Sequence, residues 1–370
     1  MNKKLFHRLF ATFSLSLLAF SNNAVASSCD SSFYSQYQSC LSSPGACSPF
    51  SSADEFVAGH PQCFPGGSAA GQAQVSSSSF QQSGMIFSAL SSRRAGTPPA
   101  PGTLGSAPVQ GMAAGGANAW NVWGNVSLND TEQTYRVGAN LIRNEMFVTN
   151  SVIGVDYTVA PGLVLGISGA FDRGDSGALV NTAARVSSAS KGFSIAPYLG
   201  YQLTKELALD VSAGLGAGQV YSAGGAETDS DRFFYGANLS YSTWMKDLQL
   251  TGKLGYMFGQ EESTGTLVNG APVANTAGVS KVERWQIGGQ VAYWLGNGVQ
   301  PFAGITYLGD SRRMALAGTD PIGKSAWQYS LGLNFFSLVK GITGGLLYTN
   351  EFHRSNQKND VLGVNIGIRY

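Results

Sequence analysis

Beyond its first 26 residues the chain has no run of the ~18 consecutive apolar residues that a membrane-spanning helix needs, which excludes a helical membrane protein. Charge is also scarce. Only 12% of the 370 residues are charged and the formal net charge is +1. No nucleic acid is therefore expected as a partner, because phosphate binding by bulk charge needs clustered Lys and Arg. Histidine occurs three times, and His7 lies in the leader. There is no His-Glu-x-x-His and no Gly-x-Ser-x-Gly elbow, so two common hydrolase chemistries lack their side chains, and no cofactor is expected. Cysteine is confined to Cys29, Cys40, Cys47 and Cys63. With no Cys-x-x-Cys spacing among them, a zinc site ranks below two disulfides, for which three pairings are open.

The leader itself has Lys3, Lys4 and Arg8, an apolar run from Leu9 to Phe20, and Ala24-Val25-Ala26. This is the pattern of a secretory signal peptide spanning 1–26, cleaved near Ala26 after export through the Sec translocon. The apolar run is too short for a membrane anchor. In an oxidising compartment beyond the inner membrane, disulfides persist.

Composition divides the rest. Residues 27–65 hold the four cysteines and read as a small disulfide-bonded segment. Residues 66–118 are rich in Ser, Gly, Ala and Pro and read as a linker or plug, with few large apolar groups to offset ordering entropy. Phe80, Met85, Ile86, Phe87 and Leu90 suggest one or two helical turns there.

From residue 119 the hydropathy alternates with period two, the mark of half-buried strands. Leu362, Val364, Ile366, Ile368 and Tyr370 share one face of the last segment, and Gly363, Asn365, Gly367 and Arg369 the other. Segments with this pattern are expected at 119–129, 146–159, 162–173, 190–203, 206–221, 231–245, 247–260, 281–295, 298–309, 325–337, 340–352 and 360–370, with 134–142 either a hairpin extension or a loop. Their connections alternate short and long. Tight turns fall at Ala160-Pro161, Thr204-Lys205, Lys246, Gly296-Asn297 and Leu338-Val339, and longer loops fall between them.

A soluble sandwich also alternates, but it uses strands of ~5–6 residues, whereas these segments have the length that tilted membrane strands require. Aromatic residues such as Trp120, Tyr157, Tyr201, Trp244, Tyr293 and Trp327 fall near segment ends, where interfacial girdles sit. A lipid-embedded sheet admits no open edge, so the last segment must close a ring. The expected fold is all-β: a twelve-stranded antiparallel transmembrane β-barrel of the outer membrane over 119–370, preceded by a mostly irregular N-terminal extension.

The region 119–370 resembles the C-terminal β-domain of autotransporters (type V secretion). The likeness rests on "AWNVWGNVSLND", the glycine-spaced hairpins "VIGVDYTVAPGLVLGISGAFDRGDSG" and "APYLGYQLTKELALDVSAGLGAG", the ending "NDVLGVNIGIRY", and twelve segments in about 250 residues. Tyr370 departs from the usual terminal Phe or Trp. The resemblance implies insertion by the barrel-assembly machinery, which would read the closing strand through Ile366, Ile368 and Tyr370. It implies an outer-membrane setting among lipid and lipopolysaccharide, and an N-terminal passenger that reaches the cell surface. Here the stretch before the barrel is short, lacks β-helix repeats, and has only Gly/Ala-rich sequence just before Trp120 where a lumen helix is sought.

The polar face carries Asp156, Asp172, Asp210, Lys253, Arg284 and Arg369, expected in the lumen as pore lining or as an internal charge network. Arg136, Arg143, Arg312 and Arg313 are candidates for lipopolysaccharide phosphates. His353-Arg354-Ser355-Asn356 resembles the His/Ser motif of outer-membrane lipid A deacylases, although no Glu follows it. Were the strand to continue, His353 and Ser355 would point the same way. The functions to separate are thus a translocator or display barrel with a very short passenger, a stand-alone channel or structural barrel, and a surface lipid hydrolase using His353 and Ser355.

Overall fold

The computed structural model describes residues 29–60, 63–64, 69–94, 120–137, 139–181, 186–296, 298–314, 322–337 and 341–369. The expected signal peptide with its cleavage near Ala26, the segment 95–119 and Tyr370 lie outside the described residues.

Twelve strands form the wall: β1 (Trp120–Val137), β2 (Asn140–Ala160), β3 (Leu163–Val180), β4 (Val186–Gln202), β5 (Leu207–Ser222), β6 (Ala226–Met245), β7 (Leu248–Val268), β8 (Gly278–Tyr293), β9 (Val299–Met314), β10 (Ser325–Ser337), β11 (Ile342–Phe352) and β12 (Gln357–Arg369). A three-residue strand, Ala271–Val273, folds back on the end of β7. Each strand pairs antiparallel with its sequence neighbour, and β1 pairs with β12 from Asn121↔Arg369 to Gln133↔Gln357, which closes the ring. Among the described residues the twelve wall strands leave no open edge, as lipid requires.

Outward positions of β7 illustrate the membrane fit. Leu248, Leu250, Leu254, Tyr256 and Phe258 face out along one side of the strand, and Gln260 and Glu262 follow above them. Ten residues at ~3.3 Å each, tilted by ~40°, give a band ~25 Å tall, the height of the apolar belt in outer-membrane barrels. Ile153, Phe171 and Leu215 are among the most exposed large apolar side chains, and they lie in that band. Aromatic pairs mark its rims: Trp120 with Tyr157 at the short-turn end, and Trp285, Tyr307 and Trp327 in succession toward the long-loop end.

Most of the sequence expected as long loops is strand. Residues 134–142 extend the first hairpin, with Tyr135↔Ile142 and Val137↔Asn140 in register. Once above the lipid, polar outward residues no longer break a strand, because water covers that face while the ladder continues.

The described part of the N-terminal extension contains helices joined by irregular segments. Helix α1 (Ser31–Ser42) starts on Asp30, whose carboxylate accepts from the Phe33 amide at 2.9 Å. Helix α2 (Ala53–Gly59) starts on Ser52, whose hydroxyl accepts from the Glu55 amide at 3.2 Å. The disulfides are Cys29–Cys63 and Cys40–Cys47. Between them Tyr34, Tyr37, Phe50, Phe56 and Phe64 form an aromatic core that continues into Tyr135, Val137, Ile142, Ala226, Val268 and Ile322 of the barrel. This cap therefore sits on the long-loop end. Tyr135 Oη donates to the Ala58 carbonyl at 3.1 Å, and Gln38 Nε2 donates to the Ala274 carbonyl at 2.6 Å.

Candidate functional site: the plugged lumen

Helix α3 (Ala69–Arg94) has 26 residues and lies inside the barrel. It occupies the first part of the stretch read as linker or plug, well upstream of the Gly/Ala-rich sequence preceding Trp120. A soluble helix shows an apolar stripe. This one faces a polar wall, so its buried side chains include Gln74, Ser77, Ser78, Ser79, Gln82 and Ser83, and the usual signal is missing.

Its bonds to the wall run the length of the lumen. Near the cap, Gln74 Nε2 donates to Asp172 at 3.2 Å, and Asp172 also pairs with Arg232 of β6. One turn on, Asn150 Nδ2 donates to the Ser77 carbonyl at 2.7 Å, and Gln82 bridges Ser168 and Ser194. A modest apolar contact joins Ile86, Phe87 and Leu90 to Trp123, Val152, Val164, Tyr198 and Phe234. At the short-turn end Arg93 pairs with Asp156 of β2, and Arg94 forms a two-point pair with Asp210 of β5. Arg369 Nη2 donates to the carbonyls of Ser92 and Arg93 at 3.1 and 2.8 Å. A cation on the last carbonyls caps a helix C-terminus against its dipole.

Asp156 is the best connected of these groups. Its carboxylate also accepts from Asn121 Nδ2 and Tyr198 Oη, each at 3.0 Å, and Trp123 Nε1 donates to Tyr198 Oη at 2.7 Å. The inward rings fit because small residues lie across from them. A Cβ on Gly154 would stand 2.3 Å from the Trp123 ring, and one on Gly166 would stand 2.3 Å from the Tyr198 ring.

Of the residues proposed for the lumen, the structure brings Asp156, Asp210 and Arg369 to the foot of α3. Lys253 lies on the same wall and donates to Gln290 Oε1 at 3.2 Å. Arg284 stands apart, toward the cap. It binds Asp310 at two points, 2.7 and 2.9 Å. Arg312 and Arg354 each reach the second Asp310 oxygen at 2.8 Å, and Arg354 holds Glu351 at 2.9 Å. Arg312 therefore turns inward and is not a contact for lipopolysaccharide, whereas Arg136 and Arg143 are exposed. On the closing strand, Ile366 and Ile368 stand outward, opposite Gly124 and Val122 of β1.

His353 and Ser355 do not continue a strand. β11 ends at Phe352, and His353 takes a φ of 62° in the connecting turn. The shared direction that a strand would have given them is lost, and the His353 ring rests on Phe352 instead.

Sequence reasoning missed Arg93, Arg94, Arg232, Trp123, Tyr198 and the polar face of α3. The paired arginines at the end of a Ser/Gln-rich stretch were the available signal.

Together these features define a class: a twelve-stranded outer-membrane-type barrel with an ordered helix through its lumen and a cap at one mouth. No protein-family profile matches the chain, and no curated protein does. Solved structures do share the fold. The translocator domain of the autotransporter NalP from Neisseria meningitidis matches with a TM-score of 0.53 at 13% identity, covering 68% of this chain and 89% of that one. The β-domain of the Bordetella autotransporter BrkA matches with a TM-score of 0.51 at 16% identity, covering 68% of this chain and all of the other, 100%. The barrel fold is that of autotransporter translocator domains.

Proposed function

We propose that the chain is an autotransporter-type barrel of a Gram-negative outer membrane that displays its own N-terminal cap on the cell surface. One observation carries this reading: the direction of α3. The cap lies at the long-loop mouth, α3 enters there at Ala69, its arginines reach the short-turn end, and β1 begins at that same end. In barrels of this kind short turns are periplasmic and long hairpins external. The route from cap to barrel therefore passes outside to inside through the lumen, as it would if the N-terminal segment had been exported through its own barrel and retained.

The remaining roles follow from that setting. The leader takes the chain to the Sec translocon and is removed near Ala26. The barrel-assembly machinery reads the closing strand through Ile366, Ile368 and Tyr370. Arg136 and Arg143, outward on the first hairpin, meet lipopolysaccharide phosphates. The work is anchoring and display, without bond-making chemistry, and the filled lumen speaks against an open channel.

The test is protease or antibody access to residues 30–65 on intact cells, with the barrel identified by heat-modifiable gel mobility in outer-membrane fractions. Surface access supports display. A cap reached only after the outer membrane is permeabilised would overturn it.

A further inference from the structure

The helix does not fill the lumen evenly. It packs mainly on β2 and β5–β8, and the carboxylates that hold it, Asp156, Asp172 and Asp210, lie on that side of the wall. Opposite, against β10–β12 and β1, a cavity of about 180 Å³ remains. At ~30 Å³ per water that is room for about six waters, or one molecule of similar bulk.

Its lining is mostly uncharged. Asn125, Ser127, Asn129, Gln328, Asn359 and Asn365 face it from the wall. Among the described residues Arg284 and Glu351 are the charged groups that line it, and both are engaged with the Asp310 and Arg354 cluster. Apolar side chains alternate with the amides, among them Phe80, Leu308, Leu347 and Val361. The floor on the helix side is Gly84, and a Cβ there would meet nothing within 4 Å.

Two polar atoms point to an occupant. Ser127 is 2% exposed, and its hydroxyl has no protein partner. The side-chain carbonyl of Asn125 is equally without one. Both oxygens are closed to solvent as they stand, and a buried hydroxyl or amide left so costs ~1–3 kcal/mol, which favours a small side-chain rotation toward the cavity, where a bound molecule can meet them. Hydroxyls and amides that donate and accept, beside small apolar faces and with no net charge, match a compact neutral polyol. We propose that the helix-free half of the lumen is a binding chamber for small uncharged polyols of about glycerol to tetritol size. This role is separate from surface display.

Thiol chemistry tests it, because the four native cysteines are paired and none is free. In the full-length protein, Ser127→Cys is treated with neutral methyl methanethiosulfonate, and in parallel with a maleimide on a polyethylene glycol chain. The small reagent should react and the large one should not. Erythritol should slow the small reagent at least threefold, while sucrose at equal osmolality should not. Gly84→Phe, added to Ser127→Cys, should slow labelling about tenfold and erase the erythritol effect. Where Ser127→Cys fails to give a heat-modifiable barrel, Asn125→Cys replaces it. An inert thiol overturns the chamber. Equal labelling by both reagents overturns it too, since the helix would then leave the lumen. Equal effects of erythritol and sucrose mean that water alone occupies the cavity, which also overturns the proposal.

Discussion

Removing the arginine anchors of α3 should unlock the lumen. Arg93 and Asp156 have side chains 4% and 1% exposed, and Asp210, the partner of Arg94, is at 0%. Deleting one member of a buried pair costs ~3–5 kcal/mol, because the other charge stays behind uncompensated. Asp156 keeps its bonds from Asn121 and Tyr198, so Arg93→Ala belongs at ~3 kcal/mol, the low end of that range. Arg94→Ala strips Asp210 of a two-point partner for about the same cost. The two arginines are consecutive on one helix end, so their effects add only in part and ~6 kcal/mol is the upper bound. At ~1.4 kcal/mol per decade, the double variant shifts the docking equilibrium of the helix by about a thousandfold to ten-thousandfold. Planar-bilayer recording reads this directly. The wild type should stay nearly closed, Arg93→Ala should flicker, and the double variant should hold an open pore. Adding Asp156→Asn to Arg93→Gln should restore part of the closure, since no orphan charge is then left. A double variant as closed as the wild type would refute the argument that these pairs hold the plug.

Other outcomes follow from the cap and the wall. The Cys29–Cys63 bond closes 34 residues and Cys40–Cys47 closes 7, so chain-entropy arithmetic assigns them ~3.8 and ~2.4 kcal/mol. Replacing the first pair by Ser should therefore expose the cap to protease more than replacing the second. His60 lies among Phe33, Phe50 and Phe56, and burial holds its pKa below the ordinary value against a weaker opposing effect of the Phe56 carbonyl. The unfolded cap then binds a proton more readily, so cap stability is full above pH ~6.5 and falls as the pH drops toward the folded-state value. His60→Gln should flatten a cap-proteolysis profile between pH 7 and 5, and an unchanged profile would remove His60 as the cause. Gly166→Ala drives a methyl into the Tyr198 ring and should cost ~1–3 kcal/mol, read as a lower temperature for the heat-modified gel shift.

The wall was legible because its physics is local. Lipid on one side and a wet lumen on the other impose period two along every strand, and ring closure forces the last strand onto the first. The hairpin ends were less legible, since polar residues outside the lipid read as loop whether or not the ladder continues, as residues 134–142 do. The cap helices had a signal: Ser52 with Glu55 three residues on has capping-box spacing, and in the structure Ser52 Oγ accepts from the Glu55 amide while the Glu55 carboxylate accepts from the amide and hydroxyl of Ser51. Helix α3 was legible only around Phe80–Leu90, where apolar residues suggest one or two of its turns, and its polar remainder gave no signal. Its partners are the Asp, Ser and Asn of the wall, so the rule that buried helices carry apolar stripes runs backwards inside a barrel.

That inversion bears on how the wall and the plug depend on each other. Asp156 and Asp210 sit deep in the lumen, and without α3 they would be carboxylates solvated by a water-filled pore. With α3 in place they are dry and paired, and Arg369, on the strand that closes the ring, caps the last carbonyls of the helix. The docked helix and the closed seam therefore share one residue. Arg369→Ala should loosen the helix end even though the β1–β12 ladder keeps its backbone bonds, whereas Arg369→Lys, which keeps a cation at the helix C-terminus, should restore part of the effect. If Arg369→Ala changes heat-modifiability yet leaves pore closure untouched, the residue serves the seam alone and the coupling of plug to closure is wrong.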